Sequence, residues 1–251
     1  MDKQQVIYKD LGIIDYKSAW DYQEELVRQN REIKSEAREA VSRDLQAAAN
    51  TNYPGTSANH NPQTTNYLLF CEHPAVYTLG KSGSMKNVLL SEKEMEEKDI
   101  EFFKTNRGGD ITFHGLQQVV GYPILDLENF YTDIGRYLRE LEEVIIKTIA
   151  EYGLYGQRSK GETGVWIEPG VIGRERKICA MGIRCSRWIT MHGFALNVNT
   201  DLSYFENIIP CGIQNKQVTS IEKELNQKVS FEEVKEKLKK NFSVIFNVKI
   251  I

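Results

Sequence analysis

An α+β fold, a single domain with a mixed β-sheet flanked by helices, is predicted by three features of this 251-residue sequence. Short apolar runs bounded by turn residues recur along the chain, as strands do. A strongly amphipathic segment spans Thr132 to Tyr152. Two β-rich segments, Lys177 to Cys185 and Trp188 to Val198, lie close enough to pair as a hairpin. There is no internal repeat, so residues 1–251 are read as one catalytic-sized unit.

The first element, Gln5 to Tyr8, reads as a short strand. A helix follows, capped by Asp15 or Ser18, with Trp20, Val27, Ile33, Ala37, Val41 and Leu45 at a helical period. Ala49 to Thr65 then turns polar and holds too little apolar surface to offset the entropy of ordering, so it reads as a surface insertion over about 49–65. Tyr67 to Cys71 and Val76 to Leu79 are expected to be strands separated by a Glu72-His73-Pro74 turn. Val119 to Leu127 is another strand, where Pro123 points to an edge or a bulge because it cannot donate to a ladder. In the helix over 132–152, Ile134, Tyr137, Leu138, Leu141, Val144, Ile145, Ile149 and Tyr152 form one stripe, and Gly153 ends it. Ser230 and Glu233 make a capping-box pattern ahead of Phe231, Val234, Leu238 and Phe242, and Val244 to Ile250 reads as a closing strand.

Composition narrows the function. The chain is 27% charged with a net charge of −3, which leaves no nucleic-acid footprint. No run approaches the ~18 apolar residues of a membrane span, and Met1 to Gln5 lack the apolar core of a signal peptide. Four irregularly spaced cysteines (71, 179, 185 and 211) suit a reducing compartment, so a cytoplasmic location is expected. Cys71-x-His73 and Cys179-x5-Cys185 lack the spacing of structural zinc motifs, and no metal or cofactor is expected. No GxSxG elbow and no GxxxxGK[ST] loop occurs. Between Arg158 and Arg187, seven basic residues stand against three acidic ones, an excess that suits either an acidic partner or a solvated surface.

Four segments carry the chemistry. Arg107-Gly108-Gly109-Asp110-Ile111-Thr112-Phe113-His114 combines a tight glycine turn with side-chain donors. Lys177 opens the apolar strand Lys177-Ile178-Cys179-Ala180-Met181-Gly182, where an amine must find a partner or reach water. His192-Gly193-Phe194-Ala195 places a glycine inside a strand, and Pro210-Cys211-Gly212 holds a thiol between two turn formers. Each of these, taken singly, has a plainer reading: a loop, a snorkelling lysine, a structural histidine, an inert cysteine.

In order and spacing, however, these segments resemble the lipoyl(octanoyl) transferase family, also called lipoate–protein ligase B. The match runs from about Tyr67 to Ile213 and includes Glu72-His73-Pro74-Ala75-Val76-Tyr77-Thr78-Leu79-Gly80 and Gly164-Val165-Trp166-Ile167. The resemblance implies the biotin and lipoate protein ligase fold. It implies a cysteine thioester on Cys211 and, on Lys177, a lysine that lowers the pKa of that thiol. It also implies an acyl pocket lined by Arg107 to His114, Ala180 to Gly182 and Gly193 to Ala195. The implied partners are octanoyl-acyl carrier protein as donor, and as acceptors the lipoyl domains of 2-oxoacid dehydrogenase complexes and the glycine cleavage H protein. Where the family commonly reads HGPGQ, this chain has His114-Gly115-Leu116-Gln117-Gln118, which alters the loop's stiffness. Two alternatives share the fold: an ATP-dependent lipoate ligase, which needs no cysteine, and a non-catalytic acyl-binding module.

Overall fold

The computed structural model describes residues 3–50, 63–209 and 217–251. The strands are β1 (Gln4–Ile13), β2 (Asn66–Glu72), β3 (Val76–Leu79), β4 (Glu101–Lys104), β5 (Ile111–His114), β6 (Gln118–Ile124), β7 (Gly156–Ser159), β8 (Glu162–Ile167), β9 (Arg176–Ser186), β10 (Ile189–Asn197), β11 (Gln217–Val218) and β12 (Val248–Ile250). The α-helices are α1 (Tyr16–Asn50), α2 (Glu92–Glu97), α3 (Ile134–Ala150), α4 (Ile221–Leu225) and α5 (Phe231–Ile245). A large mixed sheet runs in the order β12-β1-β2-β6-β10-β9-β8-β7, with β11 added in parallel to β9. A small sheet, β4-β3-β5, stands apart from it. No described helix is long and apolar enough to cross a membrane.

Strand alternation divides the core between the two faces of the large sheet. On β2, Leu68 and Phe70 join Val119, Phe194 and Leu196 under α3 and α5, whose Tyr137, Leu141, Ile145, Val234, Leu238 and Phe242 are buried there. Leu69 and Cys71 point the other way and meet Val120, Tyr122, Met191 and Ala195 under Ala19, Leu26 and Val27 of α1. A third cluster, with Tyr77, Ile111, Phe113 and Phe205, fills the space beneath the small sheet. Caps fix the helix starts, each worth about 1 kcal/mol. Asp133 accepts from Arg136 N at α3, and Ser230 accepts from Glu233 N at α5. Gly153, at φ +77°, follows α3 in the left-handed region that favours glycine.

Several expectations are corrected. Val76 to Leu79 is a strand as expected, but it belongs to the small sheet with β4 and β5, so the Glu72–Pro74 turn carries the chain from one sheet to the other. Pro123 lies in a central strand, opposite Leu68. Its missing N–H costs nothing because the β6–β10 ladder runs only from Asn197↔Gln118 to Phe194↔Gly121. The closing strand is only Val248 to Ile250, because α5 continues through Ile245. Ile134 is exposed, off the buried stripe of α3. The buried face of α1 is Tyr16, Ala19, Gln23, Leu26, Val27, Asn30 and Lys34; of the stripe read from apolar positions Val27 is buried and Trp20 packs against that core, while Leu45 is exposed. Residues 51–62 of the polar insertion lie outside the described residues. Thr65, just beyond them, exchanges hydrogen bonds with Asn30.

Charge is distributed differently from the sequence count. Arg158 pairs with Glu142 and Glu143, Arg174 with Glu168, Arg176 with Glu168 and Glu224, and Arg184 with Glu24. The basic excess over 158–187 is thus largely neutralised by acids from elsewhere, which weakens it as a steering patch.

Candidate active site

A cavity of about 90 Å³ opens where the α1 face of the large sheet meets the small sheet. Tyr16 comes from α1; Arg107, Gly109 and Asp110 from the loop before β5; Ile111, Thr112 and His114 from β5. Sheet strands supply Gln118, Val120 and Tyr122 from β6, Lys177, Ala180, Met181 and Gly182 from β9, and His192, Gly193, Phe194 and Ala195 from β10. Three segments far apart in sequence, 107–114, 177–182 and 192–195, therefore converge on one space. Gly108, Phe113, Ile178 and Cys179 are the exceptions. Phe113 is on the opposite side of β5, stacked on Tyr204 with ring centroids 4.6 Å apart.

The glycine-rich loop is held by the protein itself. Arg107 donates through Nη2 to Thr78 O (2.5 Å), Thr78 Oγ1 (3.0 Å) and Asp110 O (2.7 Å), and through Nη1 to Gly108 O (3.0 Å). A guanidinium engaged with three backbone carbonyls sets the loop's shape. The Gly108 N–H donates to Ile183 O at 2.9 Å and is not available to an oxyanion. Glycine here serves close approach of the chain to itself, since a Cβ on Gly182 would lie 2.7 Å from Gly108 O. Likewise, a Cβ on Gly193 would lie 2.1 Å from Gly121 O and 2.8 Å from Pro123 Cδ. The room beside Gly193 is taken by β6.

Lys177 sits at the cavity wall with Nζ 4.5 Å from the centre of the Trp166 ring, a cation–π arrangement that holds the amine against an apolar surface. Cys211 lies within 210–216, outside the described residues. The chain is described again at β11, where Val218 pairs with Lys177 and Thr219 N donates to Lys177 O.

Residues 15–243 match the family model for the lipoyl protein ligase A/B catalytic domain. The sequence is 56% identical over 244 residues to a protein named octanoyltransferase from Flavobacterium psychrophilum, covering 97% of each chain. It is 51% identical over 245 residues to one of the same name from Cytophaga hutchinsonii, covering 98% of this chain and 94% of that one. The chain belongs to the lipoyl(octanoyl) transferase family. Among solved structures, a bi-partite lipoate protein ligase from Thermoplasma acidophilum superposes with a TM-score of 0.63 at 16% identity, over 100% of this chain and 86% of that one. A lipoate-protein ligase A bound with ATP gives a TM-score of 0.61 at 14% identity, over 100% and 90%. At those identities the likeness shows the fold.

Behind the cavity of this lipoyl(octanoyl) transferase family member lies a buried polar network that the sequence reading missed. His73 donates from Nδ1 to Ile14 O (2.7 Å), so its Nε2 accepts from the Tyr122 hydroxyl (2.8 Å). Gln118 Nε2 donates to Phe113 O and Asn197 Oδ1, which leaves Gln118 Oε1 to accept from His114 Nδ1 at 2.9 Å. His114 Nε2 then accepts from Thr78 Oγ1. Burial holds the His73 pKa at about 4, and burial, with the Arg107 charge nearby, holds that of His114 well below its ordinary value. Both rings are neutral and wired into the fold. The one signal in the sequence was the pairing of His114 with Gln118 four residues on.

The departure from HGPGQ also resolves. Gln117 occupies the left-handed region, at φ +61°, where the family's glycine would be unstrained. Compensation comes from hydrogen bonds. Gln117 N donates to Glu72 Oε2, its carbonyl accepts from Val198 N, Asn199 N and Thr200 Oγ1, and its Oε1 accepts from Asn199 Nδ2.

Proposed function

We propose that this chain transfers an octanoyl group from an acyl carrier protein thioester to a lysine of a lipoyl domain, through a thioester on Cys211. Membership of the family makes the chain an acyltransferase, and the relatives' shared name favours octanoyl as the group transferred. The observation that carries the reading is Lys177 Nζ beside Trp166 on the wall of a mainly apolar cavity. An ammonium there favours a nearby thiolate over a thiol.

In the first step the Cys211 thiolate attacks the octanoyl carbonyl. The carrier's phosphopantetheine sulfur leaves and takes a proton from Lys177. One thioester replaces another, so the exchange is nearly balanced and needs no nucleotide. In the second step the ε-amine of the acceptor lysine attacks the Cys211 thioester, an amide bond forms, and the cysteine sulfur leaves. A lysine amine of ordinary pKa near 10.4 is ~0.1% neutral or less at pH 7. Neutral Lys177, or the departing thiolate, takes its proton. The cavity's apolar wall from Val120, Met181, Phe194 and Ala195 suits the alkyl chain. Lipoyl domains of 2-oxoacid dehydrogenase complexes and the glycine cleavage H protein are the acceptors in this reading, and the reaction is cytoplasmic.

The test is incubation with octanoyl-carrier protein followed by intact-mass measurement. The expected result is one added octanoyl group, labile to hydroxylamine, mapped to Cys211 and absent from Cys211→Ala. Full turnover by Cys211→Ala, or transfer that depends on ATP and free lipoate, would replace this reading with that of a ligase.

A further inference from the structure

His192 is built into the fold at a cost that packing does not explain. It is a buried residue in the middle of β10, yet its φ is +60°, a left-handed conformation that costs a non-glycine residue about 1–2 kcal/mol. Two other elements give up buried or half-buried polar side chains to hold it there. Gln23 of α1, fully buried, accepts from the His192 backbone N–H at 2.9 Å. Asn106, in the loop before Arg107, accepts from the ring at Nε2 at 2.7 Å. The Asn106 orientation is fixed in turn, because its Nδ2 donates to Glu24 Oε1, which also receives Arg184 Nη1.

This chain of contacts sets the tautomer. Nε2 carries the proton and Nδ1 carries a lone pair. Nδ1 is buried and has no hydrogen-bond partner among the described residues. A buried acceptor left unpaired costs about 1–3 kcal/mol. Burial, reinforced by Arg107 and Arg184, holds the ring's pKa at about 3, so it stays neutral at working pH. The ring lines the cavity, beside the alkyl-lining Phe194 and Ala195. Among the acceptor-bearing rings of that wall, His114 is already engaged with Gln118 and Thr78, and Tyr122 with His73.

We propose that His192 Nδ1 is a substrate-binding acceptor that takes an N–H lying next to the reacting carbonyl, supplied by the acyl donor or by the attacking amine. This inference rests on the acyl-transfer reading. Two groups in the reaction bring the right chemistry: the amide N–H of the donor's pantetheine arm in the first step, and the acceptor lysine's amine in the second.

Substrate analogues and two substitutions separate these sources. The first arm compares octanoyl-enzyme formation from S-octanoyl-N-acetylcysteamine with that from its ester analogue, S-octanoyl-2-mercaptoethyl acetate, in which oxygen replaces the N–H. The second arm chases preformed octanoyl-enzyme with a lipoyl domain. His192→Asn keeps an acceptor near the Nδ1 position and tolerates the left-handed backbone; His192→Gln keeps a donor near Nε2 but loses the Nδ1 acceptor. If the amide is the ligand, the wild-type protein prefers the amide thioester roughly ten- to hundredfold. His192→Asn keeps that preference and His192→Gln loses it. If the amine is the ligand, neither thioester is preferred, and the chase slows by a similar factor in His192→Gln but not in His192→Asn. The analogue comparison needs no variant and stands even where a substitution unfolds the chain. The proposal is overturned if His192→Gln matches the wild type in both arms, if both variants fall equally, or if the wild type shows no preference and neither variant folds. Absence of any octanoyl-enzyme from the wild type with either thioester would instead refute the acyl-transfer reading itself.

Discussion

Lowering the pH from 7 to 5 should destabilise the folded chain by an amount set by three buried histidines. His73, His114 and His192 are all at most 7% exposed, and each is held neutral in the fold. In the unfolded chain an ordinary histidine titrates near 6.5. Between that value and the depressed folded values, about 4 for His73 and about 3 for His192, the unfolded state binds more protons. Stability therefore falls as pH drops below 6.5, with each histidine contributing about 1.4 kcal/mol per pH unit. At pH 5 that is about 2 kcal/mol per ring and roughly 6 kcal/mol for the three. Glu142 works in the opposite direction. Burial raises its folded pKa, so the folded state takes up a proton there more readily and the loss is offset in part. The carboxylates that hydrogen bonds hold low, such as Glu25 and Asp201, contribute mainly below this window. Urea unfolding from pH 7 to pH 5 measures the effect, and His73→Gln should remove about a third of the histidine-linked loss. A total loss under about 2 kcal/mol, one histidine's worth, would refute the assignment of all three rings as neutral.

Three further perturbations test the frame around the site. Lys34 Nζ is buried against Asp126 Oδ1 at 2.7 Å and Arg187 O at 2.9 Å, so Lys34→Met strands a buried carboxylate and should cost about 3–5 kcal/mol. For a chain of 251 residues that is a fall of roughly 6–9 °C in thermal midpoint, and a variant melting with the wild type would show the pair to be dispensable. At Gln117, φ +61° predicts that Gln117→Gly is more stable than Gln117→Ala by about 1 kcal/mol, since both lose the bond to Asn199 but only glycine relieves the backbone; equal stabilities in urea would contradict this. Lys177→Ala should slow acyl transfer at least tenfold at pH 7 and lose, among its contacts, a cation–π contact to Trp166 of about 0.5–2 kcal/mol; normal turnover would remove the lysine from the mechanism.

The parts of the fold that were legible in the sequence are those where burial and apolarity coincide. α3 shows its stripe from Tyr137 to Ile149 because most of that face (Tyr137, Leu141, Val144, Ile145 and Ile149) is apolar and packs in the core, and β9 and β10 pair as their alternation implies. α1 hid its face because three of its buried positions are polar. Gln23 serves the strained His192, Asn30 ties down Thr65, and Lys34 meets Asp126. A hydrophobic period cannot register a residue that is inside because a distant partner satisfies it. Pro123 was misplaced for a related reason: the regular β6–β10 pairing stops at Gly121↔Phe194, with His192, two residues before Phe194, in a left-handed conformation, and no local pattern announces that. At the site, the three segments singled out from the sequence do share one cavity, but several of their residues face protein. Arg107 holds carbonyls, Gly182 and Gly193 admit neighbouring backbone, and Phe113 belongs to another core. Spacing in a sequence brings a segment to a site; which atoms face the ligand depends on register, which only the fold supplies.

The most direct test is the rate of Cys211 alkylation followed against pH in the wild-type protein and in Lys177→Ala, with Cys211→Ala as the blank. If the ammonium of Lys177 meets the sulfur, the wild-type thiol titrates well below the ordinary cysteine value near 8.5, and removing the lysine moves the midpoint upward by at least one pH unit. Superimposable titration curves for the two proteins would mean that the amine and the thiol never act together.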